Sequence, residues 1–454
     1  MTEIVRWTIK REIKESALKV ADFTLGLSVC AYTCEMRYGV FFAVVALLLR
    51  IVGVFLDDNR SFGSTLNGLW AWFLLTFALA LYKVNAVHFE PAFAVAYWLS
   101  VALLVLPNYT RLSLALRCVY YFSFFIMLGI WLQYIFPDTF TAVAKYYLTP
   151  TYLKEVLSRR QSGYVTGFTR EVSYSALILL ISFGYCAFFQ KEKGVLSYVN
   201  EKLFKDEKKR GIAERVERYA LCVLYLVTLF ITGKKSQPVL ALVGMAVVWF
   251  MLLKNRKHRW IVAGTLLGCV VLALASFPLW KKLPGLSRIA EFVDGILAGE
   301  DLNKLTNGRM TIYYRAVELW KEDVCMGIGW VNFRRLGMVI SRPETHWFNH
   351  FDVHNCYLQV LCETGIIGFT IFMGLIGYTC WAMVKKCIKN KTDDNMRFSA
   401  YFFVFFLLYA FVEPSLYTDS YLLVFFLVVS YIGKKPYTKT RVLPLGIRKR
   451  VGAV

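Results

Sequence analysis

The residues best suited to chemistry stand at the mouth of an apolar segment, HNCYLQVLCETGIIGF at 354–369. His354 and Asn355 open it, and Glu363 follows nine residues after the histidine. If a helix starts near Asn355, the imidazole sits at its N-terminus, where the dipole disfavours a protonated ring and favours nearby anions. A neutral imidazole is what a general base needs. The plainer alternative is an interfacial histidine satisfied by backbone or water. Three of the five histidines, His346, His350 and His354, are spaced four apart. On one continuous helix they would share a face beside Asp352, a geometry that can hold zinc. Pro343 and the mixed composition speak against that helix, so the expectation is a site without metal or cofactor.

Several cations stand at the same predicted boundary. Lys234 and Lys235, in ITGKKSQPVLAL, separate two apolar segments, although outer loops normally avoid paired lysines. Charges at such depth are costly and often functional, with snorkelling to the interface as the alternative. Arg170, in GFTREVSYSA, closes one outer loop, and Arg309 opens an amphipathic stretch of another. Together they can clamp a diphosphate, arginine bidentately and lysine as a point charge. Fixed cations can stabilise the charge that grows on a diphosphate leaving group. No D-x-D triplet is present to hold a divalent ion.

The elements that must position these residues are membrane spans. The chain has 454 residues, 57% of them hydrophobic and 17% aromatic, where soluble domains hold about 45–50% apolar residues. About twelve segments approach the roughly 20 apolar residues that a span needs. They lie near 17–33, 38–56, 66–84, 91–107, 118–136, 172–190, 219–233, 237–253, 260–279, 366–384, 398–414 and 419–433. Residues 1–16 are charged and lack the apolar core of a signal peptide. The net charge of +22 gathers at 191–218, 254–259, 385–391 and from Lys434 to Arg450. Twelve spans with the N-terminus inside put all four clusters on the cytoplasmic face, so the charge follows topology and not nucleic acid. The eleven cysteines show no C-x-x-C pair and act as small hydrophobes.

The fold class expected is all-α, a polytopic membrane protein with one large extracytoplasmic loop containing amphipathic helices. N-terminal spans occupy 1–136. Central spans occupy 137–280 and include a first outer loop at 137–171. The large loop covers 281–357, and 358–454 hold the last spans and a basic tail. Within the large loop, TNGRMTIYYRAVELWKED (306–323) reads as an amphipathic helix capped by Asn307. Ile312, Ala316, Leu319 and Trp320 share one face, and Arg315 and Glu318 form an i, i+3 pair on another. CMGIGWVNF (325–333) follows, with two glycines suited to a tight turn.

TREVSYSA, TGKKS, NGRMTIYYRAVELW with GIGWVNF, and HNCYLQVLCETGIIGF occur in the order seen in the bacterial O-antigen ligase and polymerase family. The chain resembles that family over roughly 160–384. The most specific mark, H-N-x-(Y/F)-L-x-x-L-x-E-x-G-x-x-G, matches at every stated position. The resemblance implies a glycosyltransferase on the outer face of the cytoplasmic membrane that acts on undecaprenyl-diphosphate-linked oligosaccharide. It implies that His354 activates an acceptor-glycan hydroxyl and that Arg309 holds phosphate. The family's T-x-S-R arginine falls on Lys235, which keeps the charge without the fork. That leaves open whether Lys234 or Lys235 makes the contact and whether Arg170 compensates. Glu363 orients either His354 or a neighbouring helix. Two reactions belong to the family: polymerisation of repeat units, favoured here and implying a chain-length regulator as partner, and ligation of finished glycan to lipid A-core or protein. A flippase or exporter that makes no bond is the rival from another class.

Overall fold

The computed structural model describes residues 2–57, 62–80, 91–146, 148–161, 163–189, 197–234, 236–253, 287–306, 308–336, 339–342, 345–350 and 352–434, and single residues at 257, 260 and 264. Helices dominate. The N-terminal set is α1 (Thr2–Cys34), α2 (Met36–Phe55), α3 (Thr65–Ala80), α4 (Pro91–Val105) and α5 (Leu112–Ile135). Two short helices, α6 (Pro137–Ala144) and α7 (Pro150–Gln161), occupy the expected first outer loop and lead into α8 (Val172–Phe188). Then come α9 (Ser197–Leu203), α10 (Glu207–Ile231) and α11 (Ser236–Leu252). The large loop holds α12 (Ser287–Leu297), α13 (Leu302–Leu305), α14 (Arg309–Glu322) and α15 (Phe333–Leu336). Three helices close the chain: α16 (Cys356–Lys389), α17 (Asp394–Tyr409) and α18 (Asp419–Gly433).

Helices lie over eleven of the twelve apolar segments; the segment 260–279 falls largely outside the described residues. Among the described residues, four helices are long and apolar enough to cross a membrane: α1, α2, α5 and α16. Others are apolar but shorter. The 15 residues of α18 rise about 22 Å at 1.5 Å each, less than the roughly 30 Å of a hydrocarbon core. α8 and α18 are buried along nearly their whole length, as expected of helices that are apolar all round. α18 packs on α4, α17 and α1, and α8 packs on α5 and α10. Outer helices turn large apolar side chains outward, among them Phe41 and Leu48 on α2, Leu128 on α5 and Trp381 on α16. Apolar exposure on this scale marks a surface for lipid. An ion pair is sealed inside the first spans, where Arg50 meets Asp22 at 2.6 Å with both side chains fully buried. The second Asp22 oxygen accepts from the Arg111 amide at 2.9 Å, so the carboxylate is satisfied on both sides.

One departure from the all-α expectation lies beside the site. Val339–Arg342 (β1) and Thr345–His350 (β2) form an antiparallel hairpin. His346 and His350 therefore lie on a strand and His354 at a bend beyond it, so no single helix aligns the three. Among the described residues, no group of three His, Cys, Asp or Glu side chains could hold a metal ion.

α16 is two helices joined at Gly365, whose backbone (φ 64°, ψ −174°) leaves the helical region. The break frees backbone groups, and the 324–329 loop takes them up. The Ile328 and Gly329 amides donate to the Cys362 and Glu363 carbonyls, and the Ile366 amide donates to Val324. A Cβ at Gly327 would meet the backbone of Glu363 and Gly365 at 2.5 Å. This close approach explains why G-x-G in one motif accompanies E-x-G in another. Each glycine lets the other's backbone come near.

Candidate active site

The site is assembled from helix ends. α8, α11, α16 and α18 begin at this end of the bundle, α10 and α17 finish there, and α14 brings its first turn to it. Loops between alternating spans converge without any long-range signal in the sequence.

Asn355 and His354 divide the labour at the start of α16. The Asn355 side chain accepts from the Leu358 amide at 3.0 Å, an N-cap. The Cys356 amide donates to the Ala410 carbonyl at 2.7 Å, which ties this helix start to the end of α17. His354 itself has φ 54°, in the left-handed region, a conformation that costs a non-glycine residue about 1 kcal/mol or more. Tyr313 donates to the His354 carbonyl at 3.3 Å and helps hold the turn. That hydroxyl sits one helical turn from Arg309 on α14, so both face the same way.

The centre of the site is a residue that the sequence reading did not single out. Glu413, in the loop between α17 and α18, receives three of the expected residues. Its Oε1 lies 2.6 Å from Lys234 Nζ and 3.7 Å from Arg309 Nη2, while its Oε2 lies 3.3 Å from His354 Nδ1. Arg309 Nη1 also donates to the neighbouring Val412 carbonyl at 2.9 Å. Burial works to raise the Glu413 carboxyl, but Lys234, the His354 hydrogen bond and Arg309 hold it well below the usual carboxylate range. Burial likewise works against charge on Lys234, and Glu413 with Glu171 more than compensates, raising it above the ordinary lysine range. Glu413 therefore stays ionised among cations. A carboxylate beside Nδ1 favours the ring tautomer that carries its proton on that nitrogen, in which Nε2 holds the free lone pair. The signal for Glu413 was faint: one carboxylate near the end of the apolar run 398–414, followed by proline. That run was read as span to residue 414, whereas α17 stops at Tyr409 and frees Glu413 to turn into the site.

The other expected residues fall as follows. Lys234 sits on the turn after α10, where its amide donates to Thr232 Oγ1 at 3.3 Å. Lys235 lies outside the described residues, as does Asn307. Gly308 takes the N-cap position of α14 with φ 84° and no side-chain cap bond. Ile312, Ala316 and Leu319 are buried against α16 and Trp320 packs beside them, while Arg315 and Glu318 pair at 3.2 Å. Arg170 is buried and committed to neighbours, lying 3.3 Å from Asp419 and donating to the Tyr174 hydroxyl at 2.7 Å.

Glu363 is buried in the first half of α16, away from the imidazole. Its oxygens accept from the Val331 amide at 2.6 Å and the Phe333 amide at 3.0 Å. Gln359 donates to it at 3.3 Å, and the Gln359 carbonyl oxygen accepts from the Val353 amide at 3.1 Å. Glu363 thus reaches the His354 turn through Gln359. Val331, held with φ 64°, is the strained residue of the loop that this carboxylate secures.

His354 and Glu413 both line a cavity of about 400 Å³, within the range of small-molecule sites. Residues 220–373 match a family model described as O-antigen ligase. The match takes in Lys234, Arg309, His354 and Glu363 and ends before Glu413. No curated protein matches the chain.

Proposed function

We propose that this chain, which carries an O-antigen ligase family domain over 220–373, polymerises glycan repeat units at the outer face of the cytoplasmic membrane. Its donor in this reading is an undecaprenyl-diphosphate-linked oligosaccharide, and its acceptor is a second glycan. The observation that carries the reading is the convergence of Lys234, Arg309 and His354 on the single carboxylate of Glu413. Two cations and a base held within one residue's reach suit a reaction that expels a diphosphate and takes a proton.

In the reaction, an acceptor hydroxyl gives its proton to His354 Nε2 as its oxygen attacks the anomeric carbon of the donor. The bond from that carbon to the diphosphate oxygen breaks, and the lipid diphosphate leaves with the electron pair. Lys234 and Arg309 meet its growing charge. Glu413 orients the imidazole through Nδ1 and stabilises the imidazolium that forms, the role a carboxylate takes beside a histidine base in hydrolases. Glu363 is a positioning residue, since it acts through Gln359 and the 325–333 loop. Arg170 contributes to the cavity wall. Lys235, the position of the family arginine, supplies further positive charge. Because protein cations meet the leaving group, turnover is expected to survive chelation. A chain-length regulator is the expected partner.

Polymerase is preferred over ligase because no sequence feature speaks for a lipid A-core acceptor. The test is reconstitution with a lipid-linked repeat unit as the sole substrate. A ladder of lengthened lipid-linked products supports polymerisation. Products only when lipid A-core is added would replace it with ligation, and movement of the lipid-linked glycan across vesicles without new bonds would replace both with export.

A further inference from the structure

The cavity beside His354 differs in charge from the cation cluster on Glu413. Lys234 and Arg309 sit on the Oε1 side of that carboxylate and do not line the cavity; His354 sits on the Oε2 side and does. Three guanidiniums line it, and each is held by a carboxylate that lines it too. Arg159 bridges Glu155 and Glu171, the latter at 3.3 Å. Arg170 lies against Asp419. Arg334 makes a bidentate pair with Asp352, both bonds 2.8 Å. Leaving out Glu413, whose charge Lys234 and Arg309 meet, four carboxylates face three guanidiniums. Tyr174, Tyr417 and Phe93 add aromatic surface.

We propose that this cavity is the acceptor-sugar subsite and that it selects an uncharged saccharide end over one bearing a carboxylate. The inference rests on the transferase reading above. Ion pairs held at hydrogen-bonding distance still offer N–H groups and lone pairs to hydroxyls, which donate and accept in turn. Aromatic faces suit the C–H faces of a pyranose ring. An anion would have to pull a guanidinium from its carboxylate or stand among an excess of negative charge. The diphosphate belongs on the other side of Glu413, with Lys234 and Arg309, so His354 lies between donor phosphate and acceptor hydroxyl. The separation of charge thus gives each substrate its own side of the base.

The test uses the purified full chain and two probes, methyl glucoside and methyl glucuronoside, with binding read by saturation-transfer NMR in competition. The glucoside is expected to bind more tightly by about tenfold or more, the effect of one like-charge contact in a partly screened site. Asp352→Asn leaves Arg334 without its carboxylate and should narrow the difference. Glu171→Gln, at the exposed rim, does the same for Arg159 without risk to the fold. Equal binding of both probes to the wild type, binding of neither, or discrimination unchanged in both variants would overturn the proposal. Because binding is read without turnover, a failed transfer reaction with intact discrimination would count against the transferase reading alone.

Discussion

Replacing Glu413 by glutamine keeps the side-chain shape and removes the charge on which the cluster converges. Glu413 Oε2 lies 3.3 Å from His354 Nδ1; at that separation and an effective dielectric of about 20, a full charge pair is worth about 5 kcal/mol. That figure bounds the stabilisation of the imidazolium formed as the acceptor proton is taken, and it corresponds to about 10⁴ in rate. The amide can also present its NH₂ group to Nδ1, which would move the ring proton to Nε2 and disable the base. A carboxylate-to-amide change beside a histidine base costs about 10⁴-fold in serine proteases. Glu413→Gln should therefore lower kcat by about 10²- to 10⁴-fold in reconstituted protein given the lipid-linked oligosaccharide. Donor binding should persist or tighten, since Lys234 and Arg309 lose the anion that competes with diphosphate. Stability should also fall, toward the lower side of the roughly 3–5 kcal/mol lost when one member of a buried pair is removed. Initial rates over a donor series and a melting curve separate these effects. A variant with unchanged kcat, or one whose only defect is a raised donor KM, would refute the role given to Glu413.

Glu363→Ala leaves the Val331 and Phe333 amides without their acceptor and should cost about 2–5 kcal/mol; Glu363→Gln should cost less, with a near-normal kcat in the folded fraction as the check. Gly327→Ala adds a Cβ 2.5 Å from the α16 backbone at φ 68° and should destabilise by more than about 2 kcal/mol, read as a lowered melting temperature. The Glu413 cluster should hold over a wide pH range. Glu413, with a lowered pKa, contributes stability that is complete above the ordinary carboxylate value and lost only as pH falls through its own lower one. Lys234, with a raised pKa, contributes stability that is complete below the ordinary lysine value and lost only as pH rises through its own higher one. The melting difference between wild type and Glu413→Gln should thus not shrink as pH falls from about 9 to 5; collapse of that difference near pH 5 would contradict the assigned pairing.

How much of this was legible in the sequence depended on distance along the chain. A helix start near Asn355, the single apolar face of Ile312, Ala316 and Leu319, and the Arg315–Glu318 pair follow from local sequence, and all stand in the structure. His354, Lys234 and Arg309 were placed at one boundary by hydropathy, and they meet. Glu413 was hidden because hydropathy cannot mark where a span stops within a few residues, and its partners lie 59 to 179 residues away. The hairpin at 339–350 was missed for another reason. Its strands are short and mixed in composition, and pairing rather than period defines them. The Gly365 break was invisible because a lone glycine does not by itself end a helical pattern and the loop that satisfies the freed backbone comes from another motif.

The most direct test of the central claim is a comparison of donor binding and product formation in His354→Gln. The amide keeps a polar side chain at the mouth of α16 but cannot take the acceptor proton. The account predicts normal accumulation, a melting temperature close to wild type, retained binding of the lipid-linked oligosaccharide, and product formation lowered by about 10²- to 10⁴-fold. Product at the wild-type rate in that variant would contradict it, because some other group would then be the base.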